Sequence, residues 1–320
     1  MPAARPVDFY REDFDVSGWD DIPVPANWER QGYGHAIYVN VPFEIDEPNV
    51  PTTENPVGSY RRDFSVPESW QGEEIFLQLG AVSSAFYVWI NGQYVGYSEG
   101  SKTPSEFRVT DAVRTGNNTI AVEAYRWSTG SYLEDQDFWS LSGIQRDVGL
   151  YARPRTWVRD FFVRAGLADQ YRNGTFEVEI ELSNDTNDAV PQEVSIEIMD
   201  GDVRIHADRV TLAMATGSSS HTFSAALPGI NTWLAETPYL YTLLISSGNE
   251  TIAQRIGFRT VEIVNGRFLI NGRHVRLKGA NLHEHHDETG HAVDEETMLR
   301  DIELMKAANL NVVRNSHYPQ

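Results

Sequence analysis

The chain has 320 residues, no cysteine, and 46 acidic against 26 basic side chains, a formal net charge of −20. Without cysteine there are no disulfides, thiolate metal sites or cysteine nucleophiles, and such acidity argues against nucleic acid or anionic membrane as partner, since both need a basic face. No run approaches 18 consecutive apolar residues, so no segment reads as a membrane span, and Met1–Pro6 lacks the apolar core of a secretion signal, which points to a cytoplasmic protein.

At this length two or three domains are expected, and 41% hydrophobic residues are ample for their cores. From residue 1 to about 152 the pattern is short β-runs between turns. Ser59–Val66 alternates, with Tyr60, Phe64 and Val66 on one face, and Glu74–Leu79 is a near-continuous apolar run of the buried-strand kind. Ala85–Ile90 and Gln93–Tyr97 flank Asn91-Gly92. That dipeptide predicts a type I′ hairpin, because both turn residues need positive φ. Asn117–Ala124 adds another strand. Many strands and no long helix predict a β-sandwich or jelly roll.

A second region begins near residue 153. Trp157–Val163, Gly174–Leu182 and Val194–Met199 alternate apolar and polar residues, and Leu240–Ile245 and Gln254–Arg259 continue the strands. About 100 residues of such strands predict an immunoglobulin-like sandwich.

After residue 262 the pattern changes again. Val275–Asn281 reads as a strand, Leu282–Asp287 as a loop of histidines, Asp294–Ala308 as a helix and Asn311–His317 as a second strand. Asp294 suits an N-cap, and Glu295 and Glu296 suit the positive end of the helix dipole. Met298, Ile302 and Met305 are spaced to form one apolar face against a sheet. A β-α-β unit with polar residues at both strand ends is how a (β/α)8 barrel begins its active-site face. Two strands cannot close such a barrel, so the chain reads as the front part of an enzyme, cut before its chemistry.

His283-Glu284-His285-His286-Asp287 invites a zinc reading, but His-Glu-x-x-His must lie on a helix, and here Asp287 stands where the second histidine is needed. In the barrel reading His283 ends one strand and His317 the next, neighbours around the rim where they can hold substrate hydroxyls; histidines that only cap loops remain the competing reading. Asp135 and Asp137 stand two apart beside Phe138-Trp139. They suit oxygen ligation of a hard cation better than a glycosidase pair, whose carboxylates come from different strands; a solvated acidic loop remains open. Asn40, before Val41-Pro42, is unremarkable by itself. No phosphate-cradling glycine loop or Gly-x-Ser-x-Gly elbow is present.

Several ordered stretches carry a resemblance. They are Val24–Trp28, Tyr38–Pro42, Pro51–Tyr60, Pro104–Phe107, Arg126–Ser128, Gly130–Trp139, Ser142–Val148, Gly279–His286 and Arg314–Pro319. Together they resemble the large β-galactosidases of glycoside hydrolase family 2. The resemblance implies a mainly β, multidomain fold: a jelly-roll sugar-binding domain over 1–152, an immunoglobulin-like β-sandwich over 153–261, and the first β-α-β part of a catalytic TIM barrel over 262–320. It makes Asn40, Asp137, His283, His317 and Arg314 substrate-binding residues, with Asp137 also a sodium ligand. Both catalytic glutamates and most magnesium ligands are expected beyond Gln320. The resemblance thus implies an enzyme hydrolysing terminal β-galactosides such as lactose with retention, with these residues inactive alone. β-Glucuronidase or β-mannosidase is the sibling possibility. The whole parent is expected to be a homo-oligomer. A reading from another class is a non-catalytic carbohydrate-binding or complementation subunit that needs a second chain.

Overall fold

The computed structural model describes residues 2–38, 49–134 and 137–316. In the first region the strands are β1 Val57–Val66, β2 Glu74–Leu79, β3 Val82–Ser83, β4 Ala85–Ile90, β5 Gln93–Glu99, β6 Ser105–Arg108, β7 Gly116–Tyr125, β8 Gly143–Ile144 and β9 Val148–Arg153. They pair as a sheet β1-β7-β4-β5, a facing sheet β6-β2-β9 and a short β3-β8 pair. The β4–β5 hairpin forms as its sequence predicts, with Asn91 at φ 51° and Gly92 at φ 77°. Along β4 the period-2 alternation sends Phe86, Val88 and Ile90 inward, where they pack with Leu77 and Leu79 of the facing sheet. Trp89 takes the outer face, and Tyr10 stacks on it at 5.1 Å. Val66 joins the core and Tyr60 and Phe64 pack against it, so the expected face of β1 is the inner one.

The second region builds β10 Thr156–Ala168, β11 Asn173–Asn184, β12 Val190–Asp200, β13 Val203–Met214, β14 Gly217–Leu227, β15 Tyr241–Ser247 and β16 Glu250–Ile256. After these come β17 Val261–Val264, β18 Arg267–Ile270 and β19 Arg273–His274. The sheets β10-β11-β14 and β13-β12-β15-β16 bury one core between them. Val178, Ile180 and Leu182 of β11 and Val194, Ile196 and Ile198 of β12 are all fully enclosed, at 0% exposure. Every second residue over Val178–Leu182 and Val194–Ile198 is therefore inside, the alternation of a two-layer sandwich.

The third region is β20 Gly279–Leu282, α1 Glu295–Ala307 and β21 Val312–Asn315. β20 and β21 pair in parallel, Gly279 opposite Val312 and Leu282 opposite Asn315. Gly279 is required there, because a Cβ would sit 2.2 Å from the Val312 carbonyl oxygen. Asp294 caps α1 by accepting from the Thr297 N–H at 2.9 Å. Two local expectations change. The ladder starts at Gly279 rather than Val275, since the Val275 N–H turns back to the Phe268 carbonyl. The expected apolar face of α1 is not buried among the described residues: Met298 is 37% and Ile302 45% exposed. A two-stranded sheet is too narrow to cover a helix face of that width.

Residues Met1–Ala152 and Lys278–Gln320 cluster into one compact unit, and Arg153–Leu277 into another. Among the described residues no helix is long and apolar enough to cross a membrane.

Candidate functional site

The histidine loop after β20 is fastened to the jelly roll by named groups. Asn27 is fully buried. Its Nδ2 donates to the Ser142 carbonyl at 3.2 Å, and its Oδ1 accepts from the His291 N–H at 2.7 Å. Gly290, at φ 71°, lets that approach happen: a Cβ would come within 2.6 Å of both Asn27 Oδ1 and Leu141 Cδ1. Arg30 donates from Nε to the Glu288 carbonyl at 2.5 Å and from Nη2 to the Asp287 carbonyl at 3.2 Å. Within the loop, the His286 and Gly290 backbones exchange hydrogen bonds, and His286 Nδ1 accepts from the N–H groups of Glu288 and Thr289. His286 thus serves the turn.

Aromatic rings occupy the contact between loop and jelly roll. Phe138 stacks on His283 at 5.6 Å with 7° between planes, and on His291 at 4.9 Å. Lys102 Nζ donates to Gln145 Oε1 at 2.8 Å and lies 3.2 Å from His291 Nδ1, with the Phe138 ring centroid 5.4 Å away. Arg146 Nη2 reaches Glu284 Oε2 at 3.3 Å. Burial raises the Glu284 carboxyl above its usual range, opposed by the charges of Arg146 and Lys102. Burial lowers the His291 imidazole to about 2, so it is neutral at any physiological pH.

Burial also lowers the Lys102 ammonium from 10.5 to about 7, reinforced by Arg146 and opposed by Glu134 and Glu284. Above pH 7 and up to the ordinary lysine range, the unfolded chain therefore binds a proton that the folded chain does not. Stability is expected to rise with pH over that window, by on the order of a few kcal/mol. Lys102→Met should flatten the rise, which urea unfolding of both chains at pH 7 and pH 9 measures.

Of the five residues the sequence reading selected, Asn40 and His317 lie outside the described residues. His283 follows the C-terminal end of β20, and Asp137 sits next to the Phe138 ring stacked on it, so the structure brings these two loops together. Asp137 is exposed, and its Oδ1 accepts from the Tyr38 hydroxyl at 2.9 Å. The Tyr38 ring lies 5.3 Å from Trp139. Arg314 lies on β21 and extends Nη1 to 3.5 Å from Asn281 Oδ1 on β20, at the outer limit of a hydrogen bond. Asp135, the other half of the acidic pair, is also outside the described residues. Lys102 and His291 went unselected, because their contact joins residues 189 apart and no local pattern announces it.

This arrangement is one a hydroxyl-rich ligand can use: a carboxylate beside aromatic rings, and an imidazole at the end of a barrel strand. Three family models match in succession. They are the sugar binding domain of glycosyl hydrolases family 2 over residues 5–154, the family 2 domain over 156–259, and the family 2 TIM barrel domain over 261–320. The chain belongs to glycosyl hydrolases family 2. It is 41% identical to a curated β-galactosidase of Priestia megaterium, over 98% of this chain and 32% of the relative. It is 42% identical to that of Halalkalibacterium halodurans, over 99% of this chain and 32% of the relative. The chain thus spans about a third of the length of these relatives. Among solved structures, the crystal structure of Bacteroides uniformis β-glucuronidase aligns with a TM-score of 0.85 at 24% identity, covering 99% of this chain and 38% of that one, a likeness of fold.

Proposed function

We propose that these residues form the N-terminal, sugar-facing portion of a retaining β-galactosidase. The observation that carries the reading is the stacking of Phe138 on His283, which sets the Asp137 loop of the jelly roll against the end of the first barrel strand. Asp137, His283 and Arg314 would hold the galactosyl hydroxyls, joined by Asn40 and His317. A cytoplasmic, homo-oligomeric enzyme acting on β-galactosides such as lactose fits the same reading.

Retaining hydrolysis needs an acid/base carboxyl and a nucleophilic carboxylate about 5–5.5 Å apart. On the family resemblance neither Glu284, whose Oε2 accepts from Arg146 Nη2 at 3.3 Å, nor Glu54 fills these roles. Both would come from further chain. The family resemblance also brings a sodium ion to Asp137, and magnesium. Among the described residues no group of three or more His, Asp or Glu is arranged to hold a metal ion.

The 320-residue chain is expected to hydrolyse nitrophenyl β-galactoside at the buffer rate only. Turnover above that rate, abolished by a substitution within 1–320, would overturn the assignment of catalysis to further chain.

One observation favours a second reading, a complementation subunit. Met298, Leu299, Ile302 and Leu304 of α1 are all exposed, and β20 and β21 stand as a two-stranded sheet among the described residues. A separate chain carrying the remaining barrel strands would cover both. Recovery of galactoside hydrolysis on adding such a chain distinguishes this from plain carbohydrate binding.

A further inference from the structure

Lys102 is a partly buried amine to which the sugar-binding reading assigns no task. It lies in the loop between β5 and β6. Its acceptor is fixed: Gln145 is 3% exposed, its N–H donates to the Ala81 carbonyl at 2.9 Å, and its Nε2 donates to the Leu141 carbonyl at 3.2 Å. Below about pH 7, where Lys102 carries its proton, its ammonium group only donates. At 3.2 Å from Lys102, His291 Nδ1 is therefore the acceptor, and the His291 proton sits on Nε2. The backbone of His291 is held separately by Asn27. The same ammonium faces the Phe138 ring. That ring in turn stacks on both His291 and His283.

We infer that Lys102 is a positioning residue, which holds the His291–Phe138–His283 stack in register and so fixes the ring plane that His283 presents to a ligand beside Asp137. This rests on the reading of His283 as a sugar-binding residue. In its protonated form Lys102 adds two attractions at this place. A neutral side chain could bond Gln145, but it would give up the attraction to the Phe138 face and the ammonium's bond to a neutral imidazole. Phe138 would then lose that contact and shift, and the His283 ring stacked on it would shift with it. The Arg146–Glu284 pair anchors the backbone next to His283 but does not touch the ring stack through any of these contacts.

The test uses the 320-residue chain with 15N-labelled histidine at pH 6, where Lys102 is protonated, as wild type and as Lys102→Met, Lys102→Arg and Phe138→Leu. His283→Gln assigns the His283 ring signals. Each chain is also titrated with isopropyl thiogalactoside. Lys102→Met and Phe138→Leu are expected to shift the His283 and His291 ring-nitrogen signals and to weaken thiogalactoside binding about tenfold. Lys102→Arg is expected to keep most of both, a rescue that a purely structural role would not require. Unmoved His283 signals in a folded Lys102→Met chain overturn the inference. If Lys102→Met does not fold, the other two decide: Phe138→Leu must shift His283 and Lys102→Arg must not, and the reverse overturns it. If the wild-type chain binds no thiogalactoside, the sugar reading falls, and the ring signals alone decide the role of Lys102.

Discussion

Arg126→Ala is expected to destabilise the first unit by about 3–5 kcal/mol at pH 7, the loss typical of a buried ion pair deprived of one partner. The Arg126 side chain is 6% exposed and that of Glu29 2%, with 3.3 Å between them. Arg126 also donates to the His35 carbonyl and the Ser140 carbonyl, each at 3.0 Å, and Ser140 lies two residues beyond Phe138. One guanidinium thus secures the loop that carries Asp137. Without it, Glu29 keeps the Ser142 N–H, at 2.9 Å, the Ser142 hydroxyl and its own N–H, but no cation among these partners. Burial already raises the Glu29 carboxyl above its usual range, and loss of the cation would raise it further. A group whose folded pKa lies above its unfolded value favours the folded state increasingly as pH falls and it binds its proton. The defect should therefore shrink between pH 7 and pH 5. Urea unfolding at both values checks this, and a loss under about 1 kcal/mol at pH 7 would rank the pair with surface ion pairs.

Ile196→Ala should cost about 2–5 kcal/mol in the sandwich, and Ile196→Val about 0.5–1.5. Ile196 is at 0% exposure on β12, opposite Ile245 of β15. Its chain neighbour Glu197 points the other way and pairs with Arg204 at 2.9 Å, with side chains 37% and 59% exposed. Glu197→Ala should therefore change stability by about 0.5 kcal/mol or less. Equal losses at 196 and 197, read from urea midpoints, would contradict the two-faced strand.

The parts of this structure that were legible from residues alone are those set by local chemistry. Asn91-Gly92 specifies its turn because few other pairs accept two positive φ values. The β11 and β12 alternation is legible because a pleat repeats every two residues whatever it packs against. Asp294 reads as a cap because its carboxylate answers a donor three residues on. Helix α1 was legible as a helix but not in its burial, since periodicity says which residues share a face and nothing of what covers it. The site was legible chiefly through family resemblance: Asp137 and His283 are 146 positions apart, and no spacing rule joins them. Lys102 and His291 could have been suspected only from knowing that the loops after β5 and β20 meet.

The Asn27–His291 hydrogen bond spans 264 positions. Closing a loop of that length costs chain entropy before any contact offsets it, although the cost grows only slowly with length. The β4–β5 hairpin and the neighbouring strands close far shorter loops and have their own core to bury. The order of events in folding then follows from distance along the chain: the jelly roll consolidates first, and the histidine loop docks onto it last. A weakened Asn27 latch would accordingly be felt in how fast the loop leaves rather than in how fast the sandwich forms.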